Sequence, residues 1–409
     1  MLNTLNDVLN NVDNFIWGMP LIILILFTGI LLTVRLRGLQ IRHLGKALHY
    51  VFHNEDDGEG EVTSFGALCT ALSATIGTGN IVGCATAIVA GGPGALFWMW
   101  LAAFFGMATK YAEGMLAVKY RVIAEDGHAL GGPFYYIEKG MGKNFKWLAK
   151  LFCVFGTMVG LFGIGTFTQV NGITSAVNNF FDPSNVHTIS LFGMNYSISV
   201  VVAGIIVTIC AGLVIIGGIK RISKVSEVIV PFMAVTYIGV CLIIVFTHLP
   251  QIPAAFAEIV QSAFGLKAVA GGAIGAMTVA MQKGIARGIF SNEAGLGSAP
   301  IAAAAAQTNE PVRQGLVSMT GTFIDTIVIC TMTGLAIVLT QSYTTGLDGA
   351  AMTTHAFSVG LFIPLIGKYI VNIGLVFFAF TTIIGWNYYG ERCMYYLSLI
   401  HISEPTRPL

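Results

Sequence analysis

Four consecutive residues, Gly77-Thr78-Gly79-Asn80, interrupt a stretch that is otherwise apolar enough to cross a membrane. Glycine inside a helix costs about 1 kcal/mol relative to alanine, and Ser and Thr hydroxyls compete there for the backbone. An unwound turn frees carbonyl groups that can replace the water around Na⁺, and the half-helix beyond it offers N–H groups to a carboxylate. The motif therefore predicts a site for a cation and an anionic group at membrane depth.

A second glycine-rich run, AGGAIGAMTVAM, lies in a later apolar segment and contains Gly271, Gly272 and Gly275. The two runs are five predicted spans apart, and an odd offset means that their helices cross the membrane in opposite directions. Matching interruptions in two inverted halves are the best sequence indication of a transporter's binding site. Close packing of helices through small residues is the alternative interpretation of either run taken alone.

The composition of the whole chain is that of a polytopic membrane protein. Of its 409 residues, 55% are hydrophobic and only 10% are charged, with a mean hydropathy of +0.77; soluble domains carry about 25% charged residues. A helix needs about 20 apolar residues to cross a bilayer, and about nine segments qualify. These segments are Phe15–Leu36, Thr63–Ala90, Ala95–Val118, Leu148–Asn178, Ser197–Ile216, Val225–Thr247, Ile252–Ala286, Gly315–Leu339 and Phe362–Tyr388. The fourth and seventh are too long for one straight crossing, so we expect each to tilt or break.

Most of the 21 Lys and Arg residues lie in alternate connections, among them 35–61, 119–150, 217–224 and 283–313. The positive-inside rule puts these connections in the cytoplasm and the N-terminus outside. We therefore expect a multi-pass protein of the plasma membrane, which in bacteria is the inner membrane. Residues 37–52 fit an amphipathic helix on the cytoplasmic surface, or equally a positively charged linker.

Several other function classes find no support in the sequence. No basic run indicates nucleic-acid binding. The eight histidines have no metal-ligand spacing, and no nucleophile elbow or phosphate-binding loop occurs, so we expect neither an enzyme, nor a catalytic residue, nor an organic cofactor. A passive channel or pore for small solutes, with the glycine-rich breaks as filter loops, is the alternative to a transporter. A filter usually needs oligomeric symmetry and a short re-entrant loop, and the sequence indicates neither.

Four blocks of the sequence, 74–100, 105–121, 131–140 and 288–306, carry a family resemblance. They read ATIGTGNIVGCATAIVAGGPGALFWMW, FGMATKYAEGMLAVKYR, GGPFYYIEKG and GIFSNEAGLGSAPIAAAAA. With them the chain resembles the alanine/glycine:cation symporter family over about residues 10–396. The resemblance implies a secondary active transporter in which inward movement of Na⁺ or H⁺ drives the import of alanine or glycine by alternating access. Its partners would be a small amino acid, the coupling Na⁺ and the lipid bilayer.

The resemblance also implies an all-α, leucine-transporter-like fold, in which a five-plus-five inverted repeat follows one extra N-terminal helix. Residues 1–62 would hold that helix and the amphipathic segment, 63–248 the first repeat and 249–396 the second. Family members have about eleven spans, so the second repeat is expected to be incomplete here. The final residues, LSLIHISEPTRPL (397–409), abandon the apolar pattern and are predicted to be a non-native tail.

On that fold the zwitterionic substrate would lie between the two interrupted spans. Its carboxylate would face Thr78, Gly79 and Asn80. Its ammonium would face carbonyl groups and a hydroxyl on the later run. The groups implied for the ammonium are those of Gly271, Gly272, Gly275 and Thr278.

Three residues on other spans would complete the substrate pocket. Phe167 and Gln169 lie at the depth of the site on the fourth span, where Gln169 offers both donors and acceptors. Trp386 would cap a small pocket and exclude larger side chains. Alternatively, Gln169 makes only a hydrogen bond between helices, and Trp386 is only an interfacial anchor.

A sodium site of this fold joins backbone carbonyls of the first core helix to hydroxyls of the eighth. In this sequence those positions correspond to the carbonyls near Ala74 and Gly77 and to the hydroxyls of Thr381 and Thr382. Alternatively, both hydroxyls bond only to carbonyls one turn back in their own helix.

Three ionisable residues inside apolar segments also need an explanation. Asp325 is predicted to accept hydrogen bonds from unwound backbone of the seventh span, or to add charge to cation coupling. Lys110 and Glu113, three residues apart, can pair on one helix face and are expected to pack or to form a cytoplasmic gate. Residues 283–300, which include SNEAGLG, are expected to form a cytoplasmic turn that begins a helix or moves as a gate.

Overall fold

The computed structural model of the chain describes residues 2–53, 58–124, 127–191, 193–266 and 272–402. Residues 403–409 of the predicted tail therefore lie outside the described residues. The described chain is almost entirely helical, which confirms the predicted all-α class of membrane protein. Two short antiparallel hairpins, β1 (Val122–Ile123) with β2 (Ala129–Leu130) and β3 (Thr188–Leu191) with β4 (Met194–Ser197), lie in connections between helices.

The helices as far as residue 247 include two π-helical segments and one 3₁₀ turn. The α-helices are α1 (Leu2–Ile16), α2 (Met19–Arg35), α3 (Leu39–Arg42), α4 (Leu44–Phe52), α5 (Ser64–Thr75), α6 (Cys84–Gly91), α7 (Gly94–Lys119), α8 (Pro133–Tyr136), α9 (Lys146–Phe162), α10 (Phe167–Phe181), α11 (Ile198–Ile215) and α12 (Gly218–Thr247). The π-helical segments are Gly79–Gly83 and Ile137–Met141, and the 3₁₀ turn is Lys143–Phe145.

The remaining helices again combine α-helices with shorter turns. The α-helices are α13 (Ile252–Ala263), α14 (Ala273–Asn292), α15 (Ala299–Ala303), α16 (Pro311–Thr322), α17 (Thr331–Leu339), α18 (Gly349–Gly360) and α19 (Pro364–Ile402). A π-helical segment, Phe323–Cys330, joins α16 to α17, and 3₁₀ turns cover Leu249–Gln251 and Ser342–Thr344.

Five helical segments of the described chain are long and apolar enough to cross a membrane, at 143–181, where α9 and α10 are taken together, 198–215, 218–247, 311–339 and 364–398. A bent pair, Ser64–Thr75 with Gly79–Gly91, makes a sixth candidate with an angle of 53° between its halves. The predicted interruption of the second span is therefore confirmed. The overlong fourth span also breaks, because α9 ends at Phe162 and α10 begins at Phe167.

The segment predicted to be amphipathic is helical, as α3 and α4. On α4, Ala47 and Val51 are buried and the helix packs against α5 and α16. Its apolar face is therefore covered at least partly by protein. Its position on the cytoplasmic surface stays a prediction.

Helix α7 lies at the centre of the packing and contacts both α14 and α16. Small residues allow these helices to approach closely. A Cβ atom added at Gly284 of α14 would lie 2.2 Å from the Ala95 carbonyl oxygen. A Cβ atom added at Gly315 of α16 would lie 2.7 Å from the Tyr111 carbonyl oxygen. Such contacts are typical of helix pairs in membranes, where small residues bring the backbones together.

The predicted seventh span, Ile252–Ala286, consists of two helices in the structure, and Gly272 directly precedes the second of them. Helix α13 ends at Ala263, and α14 then runs without interruption from Ala273 to Asn292, so Gly275 lies inside a regular helix. The chain leaves α14 at Glu293, with φ +56°, and Gly295 and Gly297 follow with φ +90° and +76°. Glycine in a helix permits a break without imposing one, whereas the left-handed backbone of Glu293 ends α14, and that of Gly295 and Gly297 keeps the next residues out of a helix.

Residues 283–300 do not form a turn throughout, because their first part is helical. They form the last part of α14 and a linker, residues 293–298, that leads to α15. Ser291, Asn292, Glu293 and Ser298 are all buried. Most of the linker is therefore buried, although Gly295 is exposed.

Asp182, just after α10, anchors the β3–β4 hairpin by accepting hydrogen bonds from Val186 N (2.9 Å), His187 N (3.1 Å) and Ser197 Oγ (3.0 Å). Desolvation raises the pKa of this carboxyl group, but the three hydrogen bonds outweigh it and leave the pKa below its usual value. The pKa of an Asp side chain in an unfolded chain is about 4.

Asp182 therefore stabilises the folded hairpin fully above about pH 4. This stabilisation is lost as the pH falls through the pKa of Asp182 in the folded protein, which is below that of an unfolded Asp. We expect cleavage of the 182–197 segment by an acid-active protease to increase over that acid range. Asp182→Asn should be cleaved readily at every pH tested, because its amide cannot accept all three hydrogen bonds. Equal pH dependence in the two proteins would contradict this role.

Candidate functional site

Two helix interruptions on antiparallel helices meet in the interior of the protein. A Cβ atom added at Gly79 would lie 3.5 Å from Ser291 Cα, and one at Gly91 would lie 3.0 Å from Ala280 Cα. The residue numbers rise along one helix as they fall along the other, so α6 and α14 run in opposite directions. The first break, residues 76–80, therefore lies beside the C-terminal end of α14, where the 293–298 linker begins.

One side chain of the first break and two from other segments contact the backbone of that break. Asn80 Oδ1 accepts from Gly77 N at 2.9 Å, and Gln169 Oε1 accepts from Thr78 N at 3.4 Å. Thr382 Oγ1 lies 3.5 Å from the Ile76 carbonyl oxygen and 3.0 Å from the Phe378 oxygen. Polar groups from α10 and α19 therefore converge on the turn where α5 unwinds.

Asp325 joins the two interruptions. Its Oδ1 accepts from Asn80 Nδ2 at 2.7 Å, and its Oδ2 accepts from Ser291 Oγ at 2.9 Å and from Thr326 Oγ1 at 2.7 Å. The side chain is fully buried. The carboxylate therefore connects the first break to the end of α14. One of the two predictions for Asp325 was a hydrogen bond to unwound backbone of the seventh span, whereas its partner in that span is the side chain of Ser291.

Lys110 and Glu113 do not form the ion pair that their spacing allows. Lys110 Nζ donates to the Asn292 carbonyl oxygen at 2.8 Å, and Glu113 Oε1 accepts from Gly295 N at 3.1 Å and from Gly297 N at 3.2 Å. A lysine at the C-terminal end of a helix is favourable because the last carbonyl groups there lack partners. Lys110 thus attaches α7 to the last residue of α14, and Glu113 attaches it to the linker.

Glu293 and Trp386 connect the linker to α19. Trp386 Nε1 donates to Glu293 Oε1 at 2.9 Å, and Glu293 Oε2 hydrogen-bonds with Ser298 Oγ. A cavity of about 290 Å³ adjoins this pair, and its other walls are mostly apolar. Trp386 follows Thr382 by one helical turn, so the cavity lies about one turn beyond the first break.

The structure brings together many of the residues singled out in the sequence. Gln169, Thr382 and Trp386 approach one break or the other, as described above. Ala74 also lies close to α19, because a Cβ atom added at Gly385 would be 2.8 Å from Ala74 N.

Other candidate residues lie elsewhere. Phe167 is 62% exposed, and Thr381 Oγ1 contacts Met233 Sδ at 3.8 Å and two carbonyl groups of its own helix.

The residues of the glycine-rich run also lie away from the two breaks. Gly272 and Gly275 are exposed, and Thr278 Oγ1 donates to the Ile274 carbonyl oxygen one turn back. Gly275 precedes Ser291 by 16 residues, roughly 24 Å along a helix. Gly271 lies outside the described residues.

The sequence interpretation missed Ser291, Glu293 and Ser298 as members of the site. The segment SNEAGLG contains the first two of them, but the basic residues Lys283 and Arg287 before it indicate a cytoplasmic turn. Two glycines close together after a polar Ser-Asn-Glu run were the available signal for an interrupted helix.

Removing the Glu113 carboxylate should loosen the linker. In Glu113→Ala the N–H groups of Gly295 and Gly297 lose their acceptor, so we expect faster hydrogen–deuterium exchange in peptides covering 293–298. Glu113→Gln keeps one acceptor oxygen and should show a smaller increase. Mass spectrometry of the purified protein provides the measurement, and unchanged exchange in the alanine variant would contradict the contact.

Comparisons with known proteins agree over nearly the whole chain. The family model described as the sodium:alanine symporter family matches residues 2–404. An uncharacterized transporter of Haemophilus influenzae is 57% identical over 396 residues, which cover 96% of this chain and 83% of that protein. The sodium/alanine symporter AgcS of Methanococcus maripaludis is 48% identical over 96% of this chain and 83% of its own length. A putative sodium/proton-dependent alanine carrier protein, YrbD of Bacillus subtilis, is 38% identical over 96% and 79%. The chain therefore belongs to the sodium:alanine symporter family.

Proposed function

We propose that this chain couples the inward movement of Na⁺ to the import of alanine by alternating access. Membership of a symporter family makes it a transporter and not an enzyme. The three relatives above are named transporter, symporter and carrier, which gives no support to a passive channel. The observation that carries the proposal is the meeting of two mostly buried interruptions, at 76–80 and 293–298, on antiparallel helices. Irregular backbone at membrane depth is tolerated where it is buried in protein or lines a site.

The substrate carboxylate would bind beyond the first break, at Thr78, Gly79 and Asn80. The Thr78 N–H is held by Gln169 only at 3.4 Å, so a carboxylate oxygen can take its place. Carbonyl groups of the 293–298 linker would accept from the ammonium, in place of those in the glycine-rich run near 272. Trp386 at the edge of the site would limit the side chain to the size of alanine or glycine.

Sodium would bind on the other side of the same break. The hydroxyl of Thr382 lies near the Ile76 carbonyl oxygen, and the carbonyls of Ala74 and Gly77 are on the same unwound stretch. Oxygen ligands of this kind suit a hard cation. Thr381 contributes less to this arrangement because its hydroxyl faces Met233 and its own helix.

The two breaks are consistent with a leucine-transporter-like inverted repeat, with residues 63–248 and 249–396 as its two halves and residues 1–62 preceding it. In this arrangement the N-terminus is outside and the basic connections lie in the cytoplasm. A bacterial inner membrane is the corresponding location.

Uptake of labelled alanine into proteoliposomes tests the proposal. We expect uptake with an inward Na⁺ gradient and none when K⁺ replaces Na⁺, with glycine as a competitor. Uptake that ignores an imposed Na⁺ gradient would overturn the proposal. For the ion site, Thr382→Ala should raise the Na⁺ concentration that gives half-maximal uptake, and Thr381→Ala serves as the adjacent control. An equal effect of the two substitutions would reject the preference for Thr382.

A further inference from the structure

The fourth predicted span contains a third break, residues 163–166, between α9 and α10. Nearby side chains bind the carbonyl groups in this part of the chain. Thr166 Oγ1 donates to the Gly160 oxygen at 2.6 Å. Gln169 Nε2 donates to the Ile164 oxygen at 3.0 Å. An unwound segment inside an apolar span persists where its backbone polar groups have partners, so the third break is stabilised by residues on either side of it.

Glycines bring α9 and the third break into close contact with α19. A Cβ atom added at Gly156 would lie 2.7 Å from Cys393 Sγ. One added at Gly160 would lie 3.2 Å from the Trp386 carbonyl oxygen. One added at the buried Gly165 would lie 2.5 Å from Trp386 Cβ and 3.0 Å from Trp386 Cγ. A regular helix would repeat this contact three or four residues after Gly160, and the break moves it to Gly165.

Trp386 is the side chain that this close approach positions. Its Nε1 donates to Glu293 Oε1 at 2.9 Å, and its ring packs against that of Tyr389 with 5.5 Å between the centroids. The indole therefore lies between the third break and the linker. Since Gly165 faces Cβ and Cγ, which move little when the ring rotates, a larger residue at 165 would have to displace the whole side chain towards the linker.

The same segment also reaches the first break. Gln169, whose Nε2 binds the Ile164 oxygen, has its Oε1 3.4 Å from Thr78 N. A Cβ atom added at Gly172, one turn further along α10, would lie 2.8 Å from Thr78 Cγ2. The third break thus adjoins both parts of the proposed substrate site, the first break through α10 and the linker through Trp386.

We infer that Gly165 determines specificity, because the space it leaves for Trp386 sets how large a substrate side chain the site accepts. Gly165 acts through Trp386 and is therefore a positioning residue. A methyl group at residue 165 would drive the indole into the space that the methyl group of alanine occupies, whereas glycine as substrate does not need that space. This inference rests on the proposed function, and it adds the residue that fixes the size of the substrate.

Initial uptake of labelled alanine and of labelled glycine, each over a range of concentrations under one Na⁺ gradient, tests the inference in proteoliposomes. In Gly165→Ala the ratio of maximal rate to KM should fall roughly tenfold more for alanine than for glycine, the usual effect of one methyl group in a close-fitting site. Gly156→Ala is the control, because a Cβ atom there meets Cys393 on the same helix pair instead of Trp386. It should affect both amino acids equally. An equal fall for both in Gly165→Ala overturns the inference.

A smaller ring at residue 386 tests whether Gly165 acts through Trp386. In Trp386→Phe, the added Gly165→Ala should shift the preference towards glycine by less than it does in the wild type, since the displaced ring is smaller. A shift of the same size in both backgrounds overturns the inference.

The double variant also decides the outcome if Gly165→Ala alone does not fold, which its thermal midpoint shows, or does not transport. It must then prefer glycine more than Trp386→Phe does, and its failure to do so overturns the inference. Unchanged selectivity with intact Na⁺-driven uptake overturns this inference alone, whereas wild-type uptake that ignores Na⁺ overturns the proposed function.

Discussion

Gly77→Ala should reduce Na⁺-driven alanine uptake by roughly tenfold or more. The added Cβ atom would lie 2.4 Å from Thr382 Oγ1 and 3.4 Å from Gln169 Oε1. Both side chains hold the unwound backbone, and Thr382 is also the proposed sodium ligand. The methyl group can be accommodated only if Thr382 moves away from the Ile76 oxygen, which disturbs the ion and substrate halves of the site together.

Gly83→Ala is the matched control for this prediction. Gly83 belongs to the same interrupted span, but a Cβ atom there has nothing within 4 Å. We expect this variant to transport at nearly the wild-type rate, measured as initial uptake at equal protein density in the vesicles. Similar uptake by the two variants would contradict the account of the first break.

Asp325→Ala should be the most destabilising single change in the site. It leaves Asn80 Nδ2, Ser291 Oγ and Thr326 Oγ1 without an acceptor in a fully buried place. Hydrogen bonds to a charged group contribute about 1.5–3 kcal/mol each, so a loss on the order of 3 kcal/mol is expected. Because Asp325 connects the two interruptions, uptake should be lost as well. The thermal midpoint in detergent and the initial rate in proteoliposomes measure the two effects.

Asp182→Ala provides a comparison with similar chemistry in another place. Asp182 also accepts from three donors, but it anchors a hairpin outside the membrane segments. This substitution should loosen the hairpin and leave most of the uptake intact. If Asp325→Ala transports as well as Asp182→Ala, Asp325 does not couple the two breaks.

The first interruption could be predicted from local sequence because its cause is local. Two glycines and an asparagine within four residues weaken the helix, and Asn80 bonds to Gly77 N three residues away. Its neighbours Gln169 and Thr382 come from distant segments. They could be named in advance only through the family resemblance.

The second interruption could not be located in the same way. The run near Gly275 is as rich in glycine as the first, yet α14 begins at Ala273, directly after Gly272, and continues through Gly275. The 293–298 linker is held by Glu113 and Trp386, from helices far apart in the chain. The contacts that stabilise an unwound segment lie outside it, so composition alone does not distinguish the two candidates.

The sequence by itself determined the membrane class, the family, the first break and the alternation of basic connections, because these depend on composition, short-range propensity and motif. Only the tertiary structure decided which segment faces that break, that Lys110 binds the end of α14 and Glu113 the linker instead of each other, and that Asp325 joins both interruptions. Each of these rests on side chains that meet across helices. The positions of such partners depend on how the helices pack, which no local pattern encodes.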